Sequence, residues 1–208
     1  MRTVCSLIGI VGVVGLAAVA TAEPIFIANH SFEEPAMGPG GFTQNDVPGW
    51  TLRSGNFFQW GAFYPTVASW GYTASHGNQV LYTNGNNRVQ QTTSAIVTAG
   101  ELNLLELDVI PRPGYPNANY FVALYAGDQL LASLSNSVGP TPNGVPIPVS
   151  LGFTPGAAHP SLGMPITIVL GSGTQVNFDN VRLNGVVPTP GSLGLAAMAG
   201  LVGLRRRR

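Results

Sequence analysis

The 208-residue chain contains no lysine, and its single cysteine, Cys5, sits inside the first apolar segment. No disulfide can form in the part of the chain that follows, so stability there rests on a packed core or on bound metal. Charge is scarce as well, at 9% of residues. With Arg2 and Arg205 to Arg208 assigned to the two ends, Arg53, Arg88, Arg112 and Arg182 face nine acids, a net charge of minus five. A surface of that sign does not neutralise phosphates, which excludes nucleic acid as a partner and favours cations. His30, His76 and His159 are scattered, without the H-x-H or H-x-x-x-H spacing of a zinc site. There is no G-x-S-x-G elbow, no cysteine nucleophile and no phosphate-cradling glycine loop.

What the ends do contain reads as sorting information. Met1 and Arg2 open a basic start, Val4 to Ala20 are almost wholly apolar, and Ala20-Thr21-Ala22 has the small-x-small pattern that a signal peptidase reads. Residues 1–22 are therefore expected to be a signal peptide, 23–185 the folded domain and 186–208 a tail. The tail runs through Pro188-Thr189-Pro190-Gly191 into an apolar stretch, Leu193 to Leu204, and ends in four arginines. That stretch is shorter than the ~20 residues needed to cross a bilayer core. Arginines directly behind it would stay at the cytoplasmic face. Val187 to Arg208 resembles the PEP-CTERM sorting signal, with Thr189 where the name-giving Glu would stand. The resemblance implies an exported protein, tethered transiently to the inner membrane, handled by exosortase-type machinery and released to the cell surface or extracellular matrix.

Between the ends the pattern is all-β. Glycine and proline punctuate short apolar runs, and no amphipathic helical window of convincing length appears. Eleven strands are expected, from Ile25–Ala28 to Gln175–Leu183 and including one at Asn56–Trp60, with tight turns at Ala126-Gly127-Asp128 and Asn84-Gly85-Asn86-Asn87. So many short strands in a region of this size predict an antiparallel β-sandwich or jelly roll, flanked by a signal helix and a short apolar helix in the tail. In the last strand, Val176 and Phe178 share one parity while Val181 and Leu183 share the other. One extra residue at Asp179-Asn180, a β-bulge, would bring all four to one face; a strand buried on both faces is the other reading.

Ile27 to Trp50 is a long irregular segment that needs something to hold it. Hard oxygen donors suit calcium, which takes six to eight oxygens, backbone carbonyls included. Asn29, Glu33 and Glu34 could supply part of a shell, and Asp179 a carboxylate from the far end of the chain. The residues leave a second reading open, in which Glu33 caps a turn and Asp179 accepts backbone N–H groups.

The motifs IANHSFEEP, VPGW, HGNQVLYTNGNNRVQQT and VNFDNVRL, in that order, resemble the carbohydrate-binding-like, galactose-binding jelly-roll domains of bacterial surface proteins. More narrowly, they resemble the domain of the calcium-dependent Stig cyclases of hapalindole-type alkaloid biosynthesis. The resemblance implies a jelly roll with structural calcium at Glu33 and Asp179, joined by Asn29. For function, aromatic rings stack on sugar C–H faces while amides and carboxylates take hydroxyls. Trp60, Tyr64, Trp70 and Tyr72 lie in or beside a long loop and are the platform candidates, with core packing as their alternative role. A noncatalytic, calcium-stabilised carbohydrate-binding module is the leading expectation. A structural or adhesive matrix protein and a cyclase-like enzyme are the alternatives, with Glu106 and Asp108, two apart on a strand, an acid/base pair in principle.

Overall fold

A computed structural model describes residues 22–115, 118–138 and 144–186. The expected signal peptide, the sorting tail and both flanking helices lie outside the described residues, apart from Ala22 and Val186 at its edges. Eleven strands and one helical turn make up the described chain: β1 (Ala22–Ile25), β2 (Thr51–Ser54), β3 (Trp60–Phe63), α1 (Val67–Trp70), β4 (Val80–Asn84), β5 (Arg88–Ile96), β6 (Leu102–Pro111), β7 (Ala118–Ala126), β8 (Gln129–Val138), β9 (Ile147–Phe153), β10 (Pro165–Ser172) and β11 (Gln175–Val186).

The strands form two antiparallel sheets. The first has the order β3-β4-β11-β6-β9, and β1 joins the far half of the β11 edge that β4 leaves free, Ile25 opposite Leu183. The second has the order β2-β5-β10-β7-β8. Alternation along each strand sends one set of side chains inward. Leu81, Leu105, Leu107, Val109, Val176 and Phe178 from the first sheet meet Val89, Val122, Leu124, Ile166, Ile168 and Leu170 from the second, all at most 1% exposed. Burying a side chain of this kind contributes roughly 1.5–3 kcal/mol. A core this broad explains how the domain does without crosslinks.

The bulge is present. Asp179 pairs with Asp108 and Arg182 with Glu106, so three steps on β11 match two on β6, and Asn180 takes a left-handed φ of 52°. The slip returns Val181 and Leu183 to the core face shared by Val176 and Phe178. Both tight turns also form. Gly85 and Asn86 carry φ of 56° and 66°, the pair of positive values that a type I′ turn requires.

Two expected strands shift. Asn56–Gln59 forms a turn, closed by Gln59 N–H donating to the Asn56 carbonyl at 3.3 Å, so that β3 begins at Trp60. The first strand lies at Ala22–Ile25 because its partner, the end of β11, stops Ile25 opposite Leu183, and the next residues turn away over His30.

Candidate functional site

The long opening segment is held by buried amides. Gln91 accepts from Ala28 N–H at 2.7 Å and donates to the Ala28 carbonyl at 2.9 Å, mimicking a strand partner. Gln79, 1% exposed, donates to the carbonyls of Phe32 (2.6 Å) and Pro35 (3.1 Å) and accepts from Met37 N–H at 2.7 Å. Asn29 closes its own turn: Oδ1 accepts from Glu34 N–H at 3.1 Å and Nδ2 donates to the Glu34 carbonyl at 2.8 Å. Phe32, 0% exposed, then drops into the core against Trp50, ring centroids 5.4 Å apart. Neither glutamine stands out in the sequence, because a glutamine within a strand is ordinarily a solvated residue.

Glu33 and Asp179 meet at one loop from opposite ends of the chain. Glu33 Oε1 accepts from the N–H groups of Asn78 and Gln79, both at 2.8 Å. Asp179 Oδ2 accepts from Ser75 N–H (2.9 Å), Ser75 Oγ (3.0 Å) and His76 N–H (2.8 Å), while Oδ1 accepts from Asn180 N–H at 2.7 Å. Gly77 between them has a φ of 70°, and a Cβ there would collide with Glu33 Oε1. Val181 N–H donates to the His30 carbonyl at 2.9 Å, so the opening turn and the closing strand are neighbours.

These geometries bear directly on a cation. Asp179 is 0% exposed, and desolvation pushes its carboxyl up to about 7 against the pull of its four donors. Glu33 Oε2 has no hydrogen bond among the described residues, and Asp179 Oδ1 accepts only one. One oxygen of each carboxylate therefore suits a hard cation, and the other is committed to the loop. The Asn29 amide is engaged within its own turn. No cluster of three or more His, Cys, Asp or Glu side chains with metal-binding geometry occurs among the described residues.

A cleft of about 290 Å³ opens on the outer face of the first sheet. Its floor is a square of side chains on adjacent strands, Tyr82 opposite Asn177 and Asn84 opposite Gln175. Tyr82 fits because Gly61 faces it, and its hydroxyl donates to the Thr43 carbonyl at 2.8 Å. Tyr72, 2% exposed, accepts from Asn177 Nδ2 at 2.9 Å, and the same nitrogen reaches the Ile110 carbonyl at 3.2 Å. Burial pushes the Tyr82 phenol up to about 12 and that of Tyr72 higher still, so both stay neutral.

The rim is aromatic. Trp70 ends α1, a turn started by Thr66 Oγ1 accepting from Ser69 N–H at 3.2 Å and stopped by Gly71 at a φ of 77°. The indole packs edge-on against Phe63 at 5.3 Å and carries the Arg112 guanidinium 4.1 Å above its ring. Arg112 is fixed by Nη1 donating to Gln175 Oε1 at 2.7 Å. Phe42 and Phe58, 62% and 64% exposed, complete the mouth.

Of the four platform candidates, the structure brings Trp70 and Tyr72 into this cleft. Trp60 is different: it is 2% exposed and faces the core, because β3 sets it opposite buried Thr83 of β4, on the same parity as Leu81. Tyr64 donates from its hydroxyl to Asn78 Oδ1 at 3.1 Å and so braces the loop that Glu33 holds. Glu106 and Asp108 lie outside the cleft lining, each accepting from an asparagine of β11, Asn184 at 3.3 Å and Asn180 at 3.2 Å. Asn84, Gln175, Asn177 and Arg112 escaped the sequence reading. The signal available for three of them was shared parity on two strands flanking the β4–β5 and β10–β11 turns.

A two-sheet antiparallel sandwich with an aromatic cleft on one outer face is a jelly-roll module. The chain belongs to the HpiC1-like family: the family model described as HpiC1 cyclase matches residues 23–184. Among solved structures, a Stig cyclase, Fisc from Fischerella sp. TAU in complex with (3Z)-3-(1-methyl-2-pyrrolidinylidene)-3H-indole, is 24% identical. That match has a TM-score of 0.70 and covers 81% of this chain and 100% of the other. A Fischerella sp. TAU cyclase in complex with 4-(1H-indol-3-yl)butan-2-one is 25% identical over the same shares, with a TM-score of 0.69. The CBM22-1 xylan-binding domain of Paenibacillus barcinonensis Xyn10C matches at a TM-score of 0.50 and 17% identity, covering 83% of this chain and all of that one. No curated protein matches the chain.

Proposed function

We propose that the protein is a noncatalytic carbohydrate-binding module whose ligand lies in the cleft on the first sheet. The observation that carries this reading is the lining: six aromatic rings, five carboxamides and one guanidinium, with no carboxyl or imidazole among them. Such a surface stacks against sugar C–H faces and exchanges hydrogen bonds with hydroxyls, and it offers no acid or base tuned for proton transfer near neutral pH. Exposed Trp70 and Phe58 serve as platforms, while Gln44, Gln59 and Asn84 take hydroxyls. Isothermal titration with a panel of neutral oligosaccharides, xylohexaose included, tests it. Saturable binding that Trp70→Ala weakens by about tenfold is expected, as for loss of one stacked ring and its pocket. A wholly negative panel, or binding indifferent to Trp70→Ala, overturns it.

Family membership favours a second reading, an enzyme acting on a planar heteroaromatic substrate. The aromatic rim suits an indole as well as a sugar face. Turnover of an indole-bearing substrate by the purified protein, with sugars inert, selects this reading over the first. A structural or adhesive matrix role is the third outcome, marked by self-association with no small ligand bound.

Calcium and export complete the proposal. Glu33 Oε2 and Asp179 Oδ1 would hold the ion, which would supply the positive charge that buried Asp179 lacks and tie the opening segment to the closing strand. The signal pattern at 1–22 and the PEP-CTERM-like tail support delivery to the cell surface or extracellular matrix through a transient membrane tether and exosortase-type processing. The polysaccharide of that matrix is the partner.

A further inference from the structure

The second sheet also has an outer face, and two arginines lie flat across it. Arg88 of β5 pairs in register with Gly171 of β10, which pairs with Phe121 of β7. The Arg88 side chain crosses the glycine and places its guanidinium 4.0 Å above the Phe121 ring. Gly171 is what permits this, since a Cβ there would lie 2.6 Å from the Asn87 carbonyl oxygen and 2.8 Å from Arg88 Cγ. Four residues along β7, on the same face, Tyr125 carries the Arg53 guanidinium at 4.1 Å. The two stacked pairs are ~13 Å apart along the strand.

The two arginines differ in their partners. Arg53 donates to Gln90 Oε1 at 2.8 Å and has Asp128 within 3.8 Å. The Arg88 guanidinium has no carboxylate or hydrogen-bond acceptor among the described residues. It faces a depression of about 510 Å³, distinct from the cleft, whose walls include Ser54, Asn86, Asn119, Ser135 and Asn136. A guanidinium fork held flat by a ring, with free N–H groups and a ring of hydroxyls and amides around it, matches a carboxylate attached to a polyhydroxylated body.

We propose that this face is a second saccharide-binding site, with Arg88 anchoring the carboxylate of a uronic acid residue. The Phe121 and Tyr125 pairs, spaced along one strand, suit an acidic chain of several sugars rather than a monosaccharide. The site is independent of the cleft, shares no residue with it and stands whether or not the cleft binds sugar.

The test is isothermal titration of the full-length chain with trigalacturonate in the presence of chelator, so that calcium bridging is removed. Trigalacturonate should bind saturably, weaken as sodium chloride is raised, and lose affinity about tenfold with Arg88→Gln, the loss expected for a hydrogen-bonded charge pair. Arg88→Lys, which keeps the charge and preserves the fold if the glutamine variant fails, should fall between. Trp70→Ala should leave this affinity unchanged, which separates the site from the cleft. The proposal is overturned if the wild type takes up no trigalacturonate. It is equally overturned if the methyl ester binds as well as the acid, or if neither Arg88 variant alters affinity.

Discussion

Asp179 makes the stability of this domain depend on pH in an unusual direction. The carboxyl is wholly buried on the outer face of the first sheet, and desolvation raises it to about 7. In the unfolded chain it returns to an ordinary value near 4. A group whose folded value is raised contributes stability that is complete below the unfolded value and is lost as pH rises through the folded one. The folded domain should therefore weaken between roughly pH 4 and pH 7, by about 4 kcal/mol from this group. For a domain of this size that is a fall in melting temperature on the order of 8–16 °C. His30 acts in the opposite sense, since burial, His76 and Arg182 lower its value, so the wild-type curve alone mixes the two. Asp179→Asn isolates the effect: the isostere keeps an acceptor for Ser75 and His76 but cannot ionise. Differential scanning calorimetry across pH in chelator should show a variant curve flatter than the wild type between about pH 4 and pH 7. Parallel curves would mean that Asp179 does not carry the burden assigned to it. Calcium provides an internal control, because an ion on Asp179 Oδ1 would keep the carboxylate charged and stabilise the wild type more at pH 8 than at pH 5.

Other perturbations test separate parts of the framework. Gln79→Ala removes three hydrogen bonds from the opening segment and leaves buried backbone groups unpaired, and urea denaturation should register a loss of about 3 kcal/mol. Gly77→Ala forces a side chain into a left-handed position against Glu33, and a loss of roughly 1–3 kcal/mol by the same assay is expected. Glu33→Gln should retain most of the stability measured in chelator, because an amide oxygen still accepts from Asn78 and Gln79, but should remove the calcium-dependent gain. If Glu33→Gln and the wild type respond identically to calcium, the ion sits elsewhere or not at all. Arg112→Ala frees Gln175 and the Trp70 ring; near-ultraviolet circular dichroism should report a loosened indole while the melting temperature moves by only a few degrees.

Much of the architecture was legible along the chain because it follows from local rules. Alternating apolar residues, glycine-bearing turns and the absence of a helical period specify many short strands. The parity change around Asp179-Asn180 narrowed the last strand to a bulge or burial on both faces, and the register against β6 decided for the bulge. The strand at Trp60 was misplaced because Asn56-Phe57-Phe58 has strand-like composition but forms a turn. Trp60 lies in the core because its register with β4 sets it opposite buried Thr83, a partner that the local sequence does not reveal. The site was harder to read. Asn84, Gln175 and Asn177 are unremarkable polar residues until β4 and β11 pair, and Arg112 gains its role only from Gln175 and Trp70 on other elements. Gln79 and Gln91 look like surface residues until the opening segment folds over them.

Composition and pattern alone determined that this chain folds as a crosslink-free β-sandwich with a net acidic domain, because hydrophobic period, turn chemistry and charge are properties of neighbouring residues. Only tertiary structure decided which rings face outward, which amides converge on the cleft, and what Glu33 and Asp179 hold between them. Those outcomes depend on strand order and register, which bring together residues more than a hundred positions apart, as Ser75 and Asp179 are. No local pattern encodes such a meeting.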